Sequence, residues 1–89
     1  MNDEDGRYPR DEPRSQLARL VSLLVDSPRA AHVEERRQRS STVFVARVAA
    51  ADLGKLIGRQ GRTARAVRAL LDVRGEGDGR RYGFEIRES

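Results

Sequence analysis

Cysteine is absent from this 89-residue chain, and histidine occurs once, at His32. Without thiols there is no disulfide framework and no thiolate metal site. A single imidazole does not make a structural zinc site either. Tryptophan is also missing, and Tyr8, Phe44, Tyr82 and Phe84 are the only aromatics. Lysine occurs once, at Lys55, so arginine carries almost all the positive charge. No apolar run approaches membrane-spanning length, and the opening Met1-Asn2-Asp3-Glu4-Asp5 is unlike a secretory signal. The expectation is a cytoplasmic protein with no metal, no cofactor and no membrane segment. The length allows one small domain, whose core must be economical. A net charge of +4 suits a polyanionic partner, although the placement of the charges matters more than their sum.

Residues 1–14 are charged, carry Gly6, Pro9 and Pro13, and have almost nothing apolar. They read as a disordered tail ahead of a single domain over 15–89. Ser15 is placed to cap a first helix in which Leu17, Leu20, Val21 and Leu24 recur at helical spacing. That helix ends near Asp26-Ser27, because Pro28 disfavours helix at Ser27. His32 to Arg39 is so polar that it can be a strand only at a sheet edge. Thr42 to Val48 is a better strand, with Phe44, Ala46 and Val48 in one apolar phase facing the helices. A helix over Ala49 to Ile57 and another over Arg62 to Val73 follow. Arg74-Gly75-Glu76-Gly77-Asp78-Gly79-Arg80 reads as a flexible loop. It is not a dinucleotide fingerprint, since no buried strand feeds it and no helix follows. A last strand runs from Arg81 to Arg87. The order is helix, strand, strand, helix, helix, strand, with no internal repeat.

Between the second and third helices lies Ile57-Gly58-Arg59-Gln60-Gly61-Arg62. Glycines three apart let the backbone turn tightly and approach another backbone closely. The two residues between them are long and polar. A helix starts at once, so its unpaired N–H groups face whatever occupies the turn. Such a device holds a sugar-phosphate backbone. Gly-x-x-Gly alone is weak, because any helix-turn-helix can carry it.

The wider run is Asp52-Leu53-Gly54-Lys55-Leu56-Ile57-Gly58-Arg59-Gln60-Gly61-Arg62-Thr63. With helices on both sides and strands beyond them, it resembles the KH-domain family, in particular the small bacterial single-KH proteins of the KhpA type. The resemblance spans about Gln16 to Glu88. It implies an α+β fold of type II, α-β-β-α-α-β, with a three-stranded mixed sheet and three helices on one face. It also implies that the glycine loop clamps about four nucleotides of single-stranded RNA. A post-transcriptional regulator or RNA chaperone is then expected, acting as a homodimer or with a larger KH-containing partner. For the process served, it suggests cell growth, envelope or division control.

Lys55, Arg59, Arg62, Arg65 and Arg68 lie between Asp52 and Asp72 with no acid among them. Phosphate contact is one reading of these cations; a solvated helix face is the other. Gly58 and Gly61 would admit the nucleic-acid backbone, with Arg59 and Gln60 bonding to phosphate or sugar. Ile57, Leu56 and Val67 are candidates for an apolar floor under the bases, walled by the strand Thr42 to Val48, or else for core. Ile57 is favoured for the groove because it abuts the turn. With no aromatic in the loop, recognition should rest on clamping and apolar contact, with weak sequence specificity. The RNA-binding set is thus Lys55, Ile57, Gly58, Arg59, Gln60, Gly61, Arg62 and Arg65. An enzyme is not expected: Gly61-Arg62-Thr63 lacks the lysine of a phosphate loop, and no Ser or Cys nucleophile sits near a histidine in sequence. The alternative is a protein-interaction module that uses the same surface for dimerisation or partner binding.

Overall fold

The computed structural model describes residues 12–89. Tyr8 and nearly all of the expected tail lie outside the described residues. A proline opens the first helix, α1, Pro13–Leu24. The first helical position suits proline, whose missing N–H has no partner there anyway. The helix therefore starts two residues before Ser15, with Glu12 as its N-cap. Leu17 and Val21 are buried, and Val25 ends the helix in extended conformation.

After a 3-10 turn at Pro28–Ala30, β1 (His32–Arg37) pairs antiparallel with β2 (Ser41–Val48). A second 3-10 turn, Ala50–Asp52, leads into α2, Leu53–Ile57. The glycine turn then gives α3, Arg62–Asp78, and the chain closes with β3, Arg81–Glu88, parallel to β2. The sheet order is β1-β2-β3, so β2 is central and the charged β1 is an edge, as its polarity requires. This is the α+β arrangement of three helices and a mixed three-stranded sheet that the sequence predicts.

One face of the sheet carries the core. Val33, Phe44, Ala46, Val48 and Phe84 meet Leu17 and Val21 of α1, Leu56 of α2, and Val67 and Leu71 of α3. The apolar phase of β2 faces inward as expected. Val45, in the other phase, is nevertheless fully buried, flanked in register by Glu34 and Glu85. On this uncovered face Arg47 Nε donates to Glu34 at 2.8 Å. That hydrogen bond draws the Glu34 carboxyl below its ordinary value.

The flexible loop expected at Arg74 to Arg80 is instead the last turn of α3 and its cap. Helix-interior glycines each cost about 0.5–1 kcal/mol, and tertiary contacts offset this here. Gly75 is buried because the helix end passes close over the start of β3: a Cβ on Gly75 would lie 2.5 Å from the Arg80 carbonyl oxygen. Arg74 and Asp78 pair at 2.9 Å across one helical turn. Gly79, at φ 69°, then caps the helix. Arg80 N–H donates to the Gly75 carbonyl and Gly79 N–H to that of Glu76, which is a Schellman motif. Arg80 itself is an anchor. Its guanidinium donates to the carbonyls of Gln38, Arg39 and Ser41 and to Thr42 Oγ1, pinning the β1–β2 hairpin under the helix end. Tyr82 completes the corner, donating to Asp78 at 2.5 Å and meeting Phe44 edge-on. Burial raises the Tyr82 phenol above its ordinary value, and the Asp78 hydrogen bond adds to the shift.

Candidate nucleic-acid interface

Two hydrogen bonds shape the glycine turn. Gly58 N–H donates to the Gly54 carbonyl at 2.8 Å and ends α2. Gly61 N–H donates to the Gly58 carbonyl at 2.9 Å and closes the turn. Gly58 stands at φ 82°, and a Cβ there would lie 2.4 Å from Thr63 Oγ1 and 2.7 Å from the Thr63 nitrogen. The fold therefore requires this glycine whether or not a ligand is present. Gly61 stands at φ 73°, and its added Cβ would meet only Arg65 Nη1, at 3.2 Å. It is the more open of the two.

Between them Gln60 adopts φ 55°, a left-handed conformation unusual for a residue with a side chain. Arg65 holds it there by donating from Nη1 to the Gln60 carbonyl at 2.8 Å. Arg62 reaches the Gln60 side-chain oxygen at 3.4 Å. Gly61 is the N-cap of α3, and no side chain caps that helix end. An uncapped helix N-terminus favours an anion.

The expected site residues separate into groups. Arg59, Gln60 and Arg62 are exposed on the turn, and Arg59 has no hydrogen bond or ion pair to the described residues. Ile57 is 42% exposed beside them. Lys55 is exposed but pairs with Asp26 at 3.3 Å. Arg65 is exposed too and braces the turn through the Gln60 carbonyl. Arg68 leans toward β3, its guanidinium 5.9 Å from the Phe84 ring centroid and donating to the Phe84 carbonyl.

Two expectations about the groove need correction. Leu56 and Val67 are core residues, 0% and 4% exposed, and offer no floor to a ligand. The strand Thr42 to Val48 is central and paired on both sides, so its backbone edge offers no wall. The edge strand beside α2 and α3 is β3.

Asp52 ends the 3-10 turn and is the N-cap residue of α2, without a side-chain bond to that helix. Its carboxylate is buried and accepts the backbone N–H groups of Asp26 and Ser27 at 3.1 and 3.0 Å. It thus ties the end of α1 to the element that carries the turn. No sequence spacing signals this, because the partners are backbone groups. No group of metal-ligating side chains occurs among the described residues, and no helix there is long and apolar enough to cross a membrane.

The family model for the KhpA/KhpB KH domain matches residues 14–86. This chain belongs to that family. Among its relatives, the RNA-binding protein KhpA of Streptomyces coelicolor is 46% identical over 59 residues, covering 66% of this chain and 75% of that protein. The RNA-binding protein KhpA of Chlamydia trachomatis is 38% identical over 72 residues, covering 81% and 92%. That of Treponema pallidum is 37% identical over 70 residues, covering 79% and 88%. No solved structure matches. The matched span contains the glycine turn, Asp52 and Gly75.

Proposed function

We propose that this chain binds single-stranded RNA, with the Gly58–Gly61 turn as the clamp on its backbone. The observation that carries the reading is the turn itself: an exposed, cation-flanked loop whose backbone leads into the uncapped N-terminus of α3. Its relatives are named as RNA-binding proteins. Arg59 and Arg62 meet phosphate, Gln60 bonds to sugar or phosphate, and Gly61 gives the close approach. Ile57 supplies apolar contact to a base, while Lys55 and Arg65 contribute field more than direct contact, being engaged within the protein. The cellular role in this reading is post-transcriptional regulation or RNA chaperoning in the cytoplasm, as a homodimer or beside a larger KH-containing protein. Exposed Leu23 and Val73 favour such a protein contact.

The test is Arg59→Asp with Gln60→Asp. Two anions then face the phosphates, while aspartate tolerates the left-handed conformation at position 60. Fluorescence anisotropy with a short single-stranded RNA should show binding abolished, and circular dichroism should be unchanged. Equal binding by the double variant would refute the clamp.

A further inference from the structure

α3 and β3 run antiparallel along one side of the sheet. Gly75 passes over Arg80 at one end, and Arg68 reaches Phe84 farther along. Going back along α3 toward the glycine turn therefore means going forward along β3, to Ile86. Arg81 and Ser89 donate their N–H groups inward, to the Ser40 and Val48 carbonyls. The alternate residues Phe84 and Ile86 turn their peptide groups away from the sheet, as on any edge strand. The Ile86 side chain is half-buried against the core beside them.

Arg68 stands at this edge, exposed. Its guanidinium lies 5.9 Å from the Phe84 ring centroid, and Nη2 donates to the Phe84 carbonyl at 3.3 Å. That bond holds the side chain in place and uses one of the five donors a guanidinium carries. Asp72, one helical turn on, makes no ion pair with it. Glu85, the acid next to Phe84 on β3, belongs to the other phase of the strand and pairs with Arg87 at 3.1 Å. Arg68 is thus a fixed cation with a two-donor fork to spare.

We infer that Arg68 reads one base of the bound strand, selecting a base that presents two hydrogen-bond acceptors side by side. Guanine does so with O6 and N7, and cytosine with O2 and N3 on its Watson–Crick edge. Adenine and uracil have a donor between their acceptors. The inference rests on the RNA reading above and names a specificity residue within it. Arg68 is six positions after Arg62, about 9 Å along the helix, which is within reach of the roughly four nucleotides such a turn holds. A base rather than a phosphate suits the spot. The outward carbonyls of Phe84 and Ile86 repel an anion but accept a base amino group, and Ile86 gives the ring an apolar rest.

The test is fluorescence anisotropy with a short uridine RNA in which one position at a time is changed to guanosine, cytidine or adenosine. At one position guanosine or cytidine should tighten binding about tenfold, and adenosine should not. With the unaltered protein, 7-deazaguanosine, which lacks N7, or 3-deazacytidine, which lacks N3, should abolish the gain of its parent and so tell which base is read. Arg68→Lys keeps the charge and loses the fork, so most of the gain should go; Arg68→Ala should remove all of it. Both variants should bind the all-uridine RNA within about twofold of the unaltered protein, because the phosphate contacts lie elsewhere. A gain for adenosine, no gain at any position, or a gain that survives Arg68→Ala overturns the inference. So does an equal loss for every RNA with a flatter salt slope, which would make Arg68 a phosphate contact. Binding of the all-uridine RNA without any base preference sinks this inference alone. Failure of the unaltered protein to bind any of the RNAs refutes the function proposed above, and this inference with it.

Discussion

The Asp52 carboxylate accepts the backbone N–H of Ser27 at 3.0 Å, across twenty-five positions of chain. The same carboxylate takes the N–H of Asp26, so one buried side chain fixes where α1 ends relative to the helix leading into the glycine turn. Asp52→Ala leaves two donors without their partner. A loss of about 2 kcal/mol is expected, or roughly 8–16 °C in Tm for a domain of this size. Thermal unfolding followed by circular dichroism measures it. A Tm unchanged within about 2 °C would mean that water replaces the carboxylate without cost.

The two glycines of the turn should respond differently. Gly58→Ala drives a methyl into Thr63 and forces a side chain into φ 82°. Gly61→Ala meets only the Arg65 guanidinium, at 3.2 Å rather than 2.4 Å, and bears mainly the left-handed conformational cost of about 1–2 kcal/mol. Urea denaturation should show Gly58→Ala as clearly the more destabilised. Equal midpoints would remove the steric argument for Gly58.

Ile57 should separate binding from stability. At 42% exposed it has little burial to lose, so Ile57→Asn should cost less than about 1 kcal/mol. RNA affinity should nevertheless fall markedly. A large drop in Tm would place Ile57 in the packing of the protein instead.

Salt should weaken RNA binding, but shallowly. One turn and one helix start engage about three or four phosphates, giving a slope of roughly −2 to −3 in log affinity against log salt for a single strand. Arg62→Ala should flatten that slope by up to about one unit, uniformly across sequences. Because Arg65 and Arg68 already donate within the protein, their alanine variants should flatten it less. Single-stranded RNA should outcompete duplex of equal length. A slope near zero would favour a protein partner for this surface.

Tyr82 makes stability fall at alkaline pH. Its folded pKa is raised, by burial first and by the Asp78 hydrogen bond second. The folded state therefore holds the phenolic proton more tightly than the unfolded chain does. That contribution is fully present below about pH 10, the unfolded value, and is lost as pH rises through the folded value. Tyr82→Phe should be less stable near neutrality and show a shallower decline above pH 10. Parallel curves for the two proteins would contradict the assignment.

The elements and the turn were legible in local pattern. Phe44, Ala46 and Val48 alternate, Leu17, Leu20, Val21 and Leu24 recur at helical spacing, and Ile57-Gly58-Arg59-Gln60-Gly61 states its own geometry, because glycine is where a chain can take positive φ. The rest needed contacts between distant segments. Three glycines in five residues read as a loop over Arg74 to Arg80, whereas the Schellman cap, the Arg74–Asp78 pair and the close passage over Arg80 make it helix as far as Asp78. Leu56 and Val67 could have been floor or core until the sheet stood beneath them. Arg80 and Asp52 look like ordinary surface charges in sequence. Both bind backbone groups, whose positions exist only once the chain has folded, and no pattern of side chains announces a partner of that kind.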